Sequence, residues 1–311
     1  MKQLVLTLIF VGCADETASL PDLEDGSSGD LAPLADPSSG DCPDLTQSHT
    51  TSFTSSGEDR VLTVVLPDEP GADMPLVFFF HGLLDPETMP VPTEVMADNL
   101  NLQAVANESG VAFILPQSGV MTRMGFSFYM WAADEYEGAD IVLFDDLRSC
   151  AADQLDIDLH EVHAMGMSGG ALFTTVVARD RGDTLASMIE LSGGADIDMP
   201  TFDDILSEYA TPAAPVPALL VSGGDTDTWP SAPMPSLVNF TAATDALEDH
   251  LVSDGHFVVR CEHSLGHQVP MNAVGASWDW VEAHRFGESS PYKESGIGDV
   301  SSLSSWCTVA D

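Results

Sequence analysis

A serine set among small residues, Gly166-Met167-Ser168-Gly169-Gly170, stands where an apolar strand pattern over 162–165 gives way to an apolar helical one over 169–178. A turn that sharp holds the serine in a strained backbone conformation that only small neighbours permit, and it pushes the hydroxyl clear of the sheet. The backbone N–H groups that open the following helix are placed to hold an anion. A nucleophile beside an anion site is the arrangement that acyl transfer requires.

A serine nucleophile needs a base, and an imidazole can take its proton and return it to a leaving group near neutral pH. Two histidines compete in the loop after the strand over 257–260: His263 near the strand end, and His267 in Gly266-His267-Gln268-Val269-Pro270. His267 is preferred, because it sits at the tip of a flexible loop directly ahead of a helix. A carboxylate must then orient the imidazole and stabilise its charge. Asp225 and Asp227 both follow the strand over 218–221, in Ser222-Gly223-Gly224-Asp225-Thr226-Asp227. Asp227 is preferred, since the extra residues bring it clear of the strand, whereas Asp225 suits a turn. His160, His163, His250, His256 and His284 fall on strands, helices or their edges and read as packing or solvent-facing residues.

An acyl-transfer site also needs two backbone donors for the developing oxyanion. Gly169, after the nucleophile, supplies one; the loop Phe80-His81-Gly82-Leu83 after an early strand supplies the other, from Leu83 or, failing that, Gly82. Trp131 and Trp229 are the aromatics placed to line an acyl or sugar pocket, with core packing as the rival reading.

The elements that must position these residues alternate in the manner of an α/β protein with a mostly parallel sheet. Strands are expected over 61–66, 76–80, 111–115, 162–165, 188–191, 218–221 and 257–260, several of them continuous apolar runs suited to burial on both faces. Helices are expected over 145–154, 169–178, 240–253 and 272–284, the last with Val274, Trp278 and Val281 on one stripe.

The chain of 311 residues carries 50 acidic and 9 basic side chains, a formal charge of −41. That balance argues against nucleic acid or an anionic membrane surface as a partner held by charge, and it disfavours anionic substrates. Residues 1–12 pair one lysine with an apolar run too short to span a bilayer, as in a signal peptide. Phe10-Val11-Gly12-Cys13 is similar to a bacterial lipobox, so the expectation is export, with lipidation at Cys13 or plain secretion. Residues 13–41 are acidic and rich in Ser, Gly, Pro and Asp, and they read as a tether. The folded domain is assigned to 42–287 and a C-terminal tail to 288–311. Apart from Cys13, the cysteines are Cys42, Cys150, Cys261 and Cys307, an even set that favours two disulfides in an exported chain. The pairing leans to Cys42 with Cys307, both in end segments that would otherwise fray. No CxxC spacing accompanies them, and a metal site is not expected.

Taken together, Pro75-Leu76-Val77-Phe78-Phe79-Phe80-His81-Gly82, the pair Asp145-Asp146, the Gly-Met-Ser-Gly-Gly run and the two loops bearing Asp227 and His267 resemble the secreted polyhydroxybutyrate depolymerase and feruloyl esterase group of α/β-hydrolases. The resemblance spans about residues 58–287 and departs from the group at the acid loop, which usually begins His-Gly, and after the histidine, where Thr-Trp is usual. It implies an α/β-hydrolase fold and an extracellular carboxylic-ester hydrolase that uses no metal or cofactor. The expected function is a monomeric serine esterase on polyester, acylated polysaccharide or short acyl esters. A serine peptidase, a thioesterase on the same fold, or an inert surface-binding lipoprotein are the alternatives.

Overall fold

The computed structural model describes residues 30–123, 125–132, 138–197, 208–230, 233 and 235–310. The signal-peptide expectation, Cys13 and the first part of the expected tether lie outside them.

The chain opens with an antiparallel pair, β1 (His49–Ser55) and β2 (Glu58–Val65), and then alternates strand and helix. In order follow β3 (Met74–Phe80), α1 (Pro92–Asn99), α2 (Leu102–Ser109), β4 (Ala112–Pro116), a small hairpin of β5 (Val120–Arg123) and β6 (Phe126–Tyr129), and α3 (Ala139–Gln154). The elbow joins β7 (Ile157–Met167) to α4 (Gly169–Arg181), and β8 (Ser187–Leu191) and β9 (Ala218–Ser222) come next. A two-residue pair, β10 (Thr228–Trp229) and β11 (Val238–Asn239), leads into α5 (Phe240–Ser253), β12 (Val258–Glu262), α6 (Met271–Ala283), α7 (Tyr292–Ser295) and β13 (Cys307–Val309).

Nine strands form one sheet in the order β1-β2-β4-β3-β7-β8-β9-β12-β13. The six from β4 to β12 are mutually parallel, and the strand pairings beyond them at either edge are antiparallel. The central strands are covered on both faces, which explains their unbroken apolar runs. On β3, Leu76, Phe78 and Phe80 join one core with α3, α4 and α5, while Val77 and Phe79 join a second core with α1, α2 and α6. The chain moves from β3 outward to β4 and then returns to β7 on the other side of β3. That reversal opens a crevice at the carboxyl ends of the strands, where sites in such sheets are found.

Three boundaries differ from the sequence expectation. Part of the stretch expected to be tether packs on the domain: Arg148 donates to the Ala32 carbonyl at 3.1 Å, and Ser38 donates through its N–H and hydroxyl to Asp146 at 2.8 and 2.5 Å. Hydrogen bonding to buried groups, rather than apolar burial, holds this polar segment. The stretch 288–311 is not a tail, because β13 completes the sheet against β12 and Leu303 is fully buried. Finally, the disulfides are Cys42–Cys150 and Cys261–Cys307, which corrects the expected Cys42–Cys307 pairing. Cys150 belongs to the core on one face of the sheet, whereas Cys261 and Cys307 belong to the core on the other and are register partners across β12 and β13.

Candidate active site

Ser168 sits between β7 and α4 with φ 56° and ψ −123°, a conformation that L residues rarely adopt. The glycines around it are required by close approach: a Cβ on Gly166 would strike the Gly170 backbone, and one on Gly170 would strike the Phe80 carbonyl. The Ser168 N–H donates to the Leu191 carbonyl at 2.9 Å, which fastens the elbow to β8.

The structure brings together the three side chains that the sequence singles out. The Ser168 hydroxyl lies 2.9 Å from His267 Nε2, and His267 Nδ1 lies 2.8 Å from Asp227 Oδ1. The consistent proton arrangement has His267 donating from Nδ1 to the carboxylate and accepting at Nε2 from the serine. Asp227 is fully buried; burial works to raise its pKa, but the bonds from His267, the Gly223 N–H and Ser192 outweigh it and hold the carboxyl below its usual value. The Phe240 ring stacks on His267 with centroids 4.4 Å apart and planes 13° apart, fixing the plane of the imidazole. The acid and histidine loops meet at Gly223 and Gly266, where the Gly266 N–H donates to the Gly223 carbonyl at 3.1 Å and a Cβ on Gly223 would strike the Gly266 backbone. This chain's Gly-Gly at the start of the acid loop is therefore a packing requirement.

The rival residues stand elsewhere. Asp225 is exposed on a short 3-10 turn. His263 accepts the Leu265 N–H at Nδ1, 3.2 Å away, and burial lowers its pKa.

Gly169 and Leu83 face each other across the mouth of the elbow: the Leu83 nitrogen is 3.3 Å from the point that a Cβ on Gly169 would occupy. The Gly169 N–H opens α4 and so has no acceptor within the helix. His81 sets the other donor. Its Nδ1 donates to the Gly82 carbonyl at 2.7 Å, its Nε2 accepts the Ser118 N–H at 3.1 Å, and burial pushes its pKa down to about 4, so the ring is neutral near pH 7. In a trans peptide the carbonyl of one residue and the N–H of the next point in opposite directions. Holding the Gly82 carbonyl therefore turns the Leu83 N–H the other way, and Gly82 contributes through its carbonyl.

A cavity of about 360 Å³ opens beside Ser168, with walls that include Leu83, Leu84, Met89, Met96, Met130, Leu172, Val238 and Phe240. Trp229 is part of this wall. Trp131 is not: it is 1% exposed, stacks on Phe173 at 4.8 Å and donates from Nε1 to the His81 carbonyl at 2.7 Å. Its large ring fills the core beneath the oxyanion loop, a packing role that corrects the pocket expectation. No Asp, Glu, Lys or Arg lines the cavity among the described residues.

Sequence reasoning missed Ser192, whose hydroxyl donates to Asp227 Oδ2 at 2.8 Å beside the Gly223 N–H at 2.7 Å. Its signal was available: it follows the strand end at Leu191 and precedes Gly193-Gly194. The four cavity methionines, Met89, Met96, Met130 and Met167, were also missed, because their spacing follows no period of helix or strand. Among the described residues no cluster of ligating side chains could hold a metal ion, and no helix is long and apolar enough to cross a membrane.

This architecture is the α/β-hydrolase fold. The solved structure of native pOPH is similar over 87% of this chain and 97% of its own, with a TM-score of 0.61 at 17% identity. Native sOPH matches over 81% and 94%, with a TM-score of 0.61 at 16% identity. The acetyl xylan esterase from Aspergillus awamori matches over 75% and 99%, with a TM-score of 0.53 at 13% identity. No protein-family model matches the chain, and no curated protein does.

Proposed function

We propose that the protein is an exported serine esterase that cleaves uncharged carboxylic esters through an acyl-enzyme. The observation that carries this reading is the unbroken relay from Asp227 through His267 to Ser168, at 2.8 and 2.9 Å, opening onto an apolar cavity. His267 Nε2 takes the serine proton as Oγ attacks the ester carbonyl carbon, and the oxyanion is held by the N–H groups of Gly169 and Leu83. Collapse breaks the bond to the alkoxide, which takes the proton from His267 as it leaves. Water then repeats the sequence on the acyl-enzyme and releases the acid.

The wall chemistry selects the substrate: with no charged side chain at the cavity among the described residues, an ionic acyl group would lose its hydration without a partner there. The charge of −41 acts in the same direction from a distance. The resemblance to polyhydroxybutyrate depolymerases and feruloyl esterases, and a fold shared with an acetyl xylan esterase, supports esters over amides or thioesters. The two disulfides support export, and attachment through a lipidated Cys13 is proposed from the motif alone. The enzyme is proposed to act as a monomer without metal or cofactor.

The test is fluorophosphonate labelling of purified protein together with hydrolysis of 4-nitrophenyl butyrate. The expected result is labelling and turnover in wild type and in His263→Ala, and loss of both in Ser168→Ala and His267→Ala. Turnover should fall by about 10⁴ or more in the Ser168 variant. A folded wild type that neither labels nor turns over esters would reject the enzyme reading in favour of a binding protein on this fold.

A further inference from the structure

Met130 occupies a position that its cavity-lining role does not require. The point where a Cβ would stand on Gly169 is 2.7 Å from Met130 Sδ, 3.2 Å from its Cε and 3.3 Å from the Leu83 nitrogen. The Met130 thioether and the Leu83 nitrogen thus flank the same point in front of Gly169. Leu83 packs against the small cluster of Met121, Phe128, Met130 and Ala132.

The neighbours of Met130 hold it there. Tyr129 exchanges backbone bonds with Leu84 at 2.8 and 3.4 Å, and its hydroxyl donates to the Pro90 carbonyl at 3.0 Å. On the other side Trp131 is anchored in the core by its bond to the His81 carbonyl. The backbone on either side is therefore fixed, which holds the Met130 Cα beside the elbow. Met130 is 4% exposed, and it meets solvent through the cavity, where a small reagent that enters reaches the sulfur.

We propose that Met130 is an oxidative modification site that switches the enzyme off: a hydroperoxide converts its thioether to the sulfoxide, whose oxygen occupies the oxyanion site. The sulfur lone pair attacks the O–H oxygen of the hydroperoxide, the O–O bond breaks, and the proton on the attacked oxygen passes to the departing oxygen. Sulfur loses two electrons and gains that oxygen, and the peroxide is reduced to water or an alcohol. A thioether accepts hydrogen bonds weakly, whereas a sulfoxide oxygen is a strong, polar acceptor. Beside the N–H groups of Gly169 and Leu83 it competes with the ester carbonyl for the donors that the transition state needs. This proposal rests on the esterase reading for its effect on turnover, though not for the chemistry at sulfur.

The test treats wild type, Met130→Leu, Met89→Leu and Met96→Leu with hydrogen peroxide and expresses each rate on 4-nitrophenyl butyrate as a fraction of that protein's own untreated rate. Peptide mass measurement follows oxygen addition at each methionine. Wild type, Met89→Leu and Met96→Leu should lose about tenfold or more of their rate, in step with oxygen on Met130. Met130→Leu should keep most of its rate while its other cavity methionines oxidise. Equal losses in Met130→Leu and wild type, or full activity with Met130 converted, would overturn the proposal. Amide proton shifts of Gly169 and Leu83 give a readout that needs no turnover. Both should move downfield when Met130 is oxidised, and unmoved amides at complete conversion would sink the idea even if the protein proved not to be an esterase.

Discussion

Replacing Asp227 by asparagine exchanges one oxygen for an NH₂ group, and the surroundings dictate where that group must go. Oδ2 accepts two hydrogen bonds, from Ser192 Oγ at 2.8 Å and from the Gly223 N–H at 2.7 Å, while Oδ1 accepts one from His267 Nδ1 at 2.8 Å. An asparagine NH₂ at the Oδ2 position would turn Ser192 Oγ from donor to acceptor, set donor against donor at the Gly223 N–H and leave that buried group unsatisfied, at about 1–3 kcal/mol. The carbonyl oxygen of the amide therefore takes the Oδ2 position and the NH₂ faces His267. That NH₂ donates to Nδ1, which forces the imidazole proton onto Nε2, the nitrogen that must accept from Ser168. The histidine then presents the wrong tautomer to the nucleophile and has lost the negative charge that would stabilise its protonated form. The expected cost is about 10⁴ in kcat, or about 5 kcal/mol, with the fold retained. Rates on 4-nitrophenyl butyrate, with thermal unfolding as a check on folding, give the answer. Asp225→Asn, on an exposed turn, is the control and should stay within about twofold. An Asp227→Asn enzyme that is folded and keeps more than about a tenth of its rate would refute the assignment of the acid.

His81 should behave as a positioning residue. His81→Leu frees the Gly82 carbonyl and should lower kcat by about 10²-fold with little change in KM, while His81→Asn, whose NH₂ can replace Nδ1–H, should retain much more of the rate; steady-state kinetics on the two variants decides it. Glu190 is fully buried, accepts the Gly194 N–H at 2.7 Å, and burial raises its pKa to about 8. Below pH 4.5 the folded and unfolded chains both bind this proton, and between pH 4.5 and 8 unfolding releases it, so its contribution to stability is lost as pH rises through that window. Glu190→Gln cannot ionise, and its Tm relative to wild type should rise from pH 5 to pH 8; parallel Tm curves for the two proteins would count against the buried, protonated carboxyl.

The long apolar elements were legible because their pattern is local. The helix expected over 240–253 is observed as α5 with those bounds, and the seven expected strands all appear, with their ends within a few residues of those expected. The edge strands β1 and β13 were not legible. His-Thr-Thr-Ser-Phe-Thr-Ser and Cys-Thr-Val carry too little apolar alternation to mark a strand, and they exist because a partner strand satisfies their backbone. The hairpin of β5 and β6, which Met130 directly follows, escaped notice for the same reason.

At the site, the serine turn and the two loops could be read from sequence because each follows a strand end and each needs small or turn-forming residues at fixed offsets. The order Ser168, Asp227, His267 and the glycines at 166 and 170 follow from local backbone demands that any fold of this kind imposes. Which side chains complete the site depends instead on neighbours far apart in the chain. Ser192 reaches Asp227 because β8 lies beside β9, and Cys261 pairs with Cys307 because the chain end returns to the sheet. Trp131 fills the core while Trp229 faces the cavity, a difference that the two tryptophans' sequence contexts leave open. Strand adjacency and the direction of a side chain are set by the packing of the whole sheet, whereas a strained turn is set by the few residues that make it.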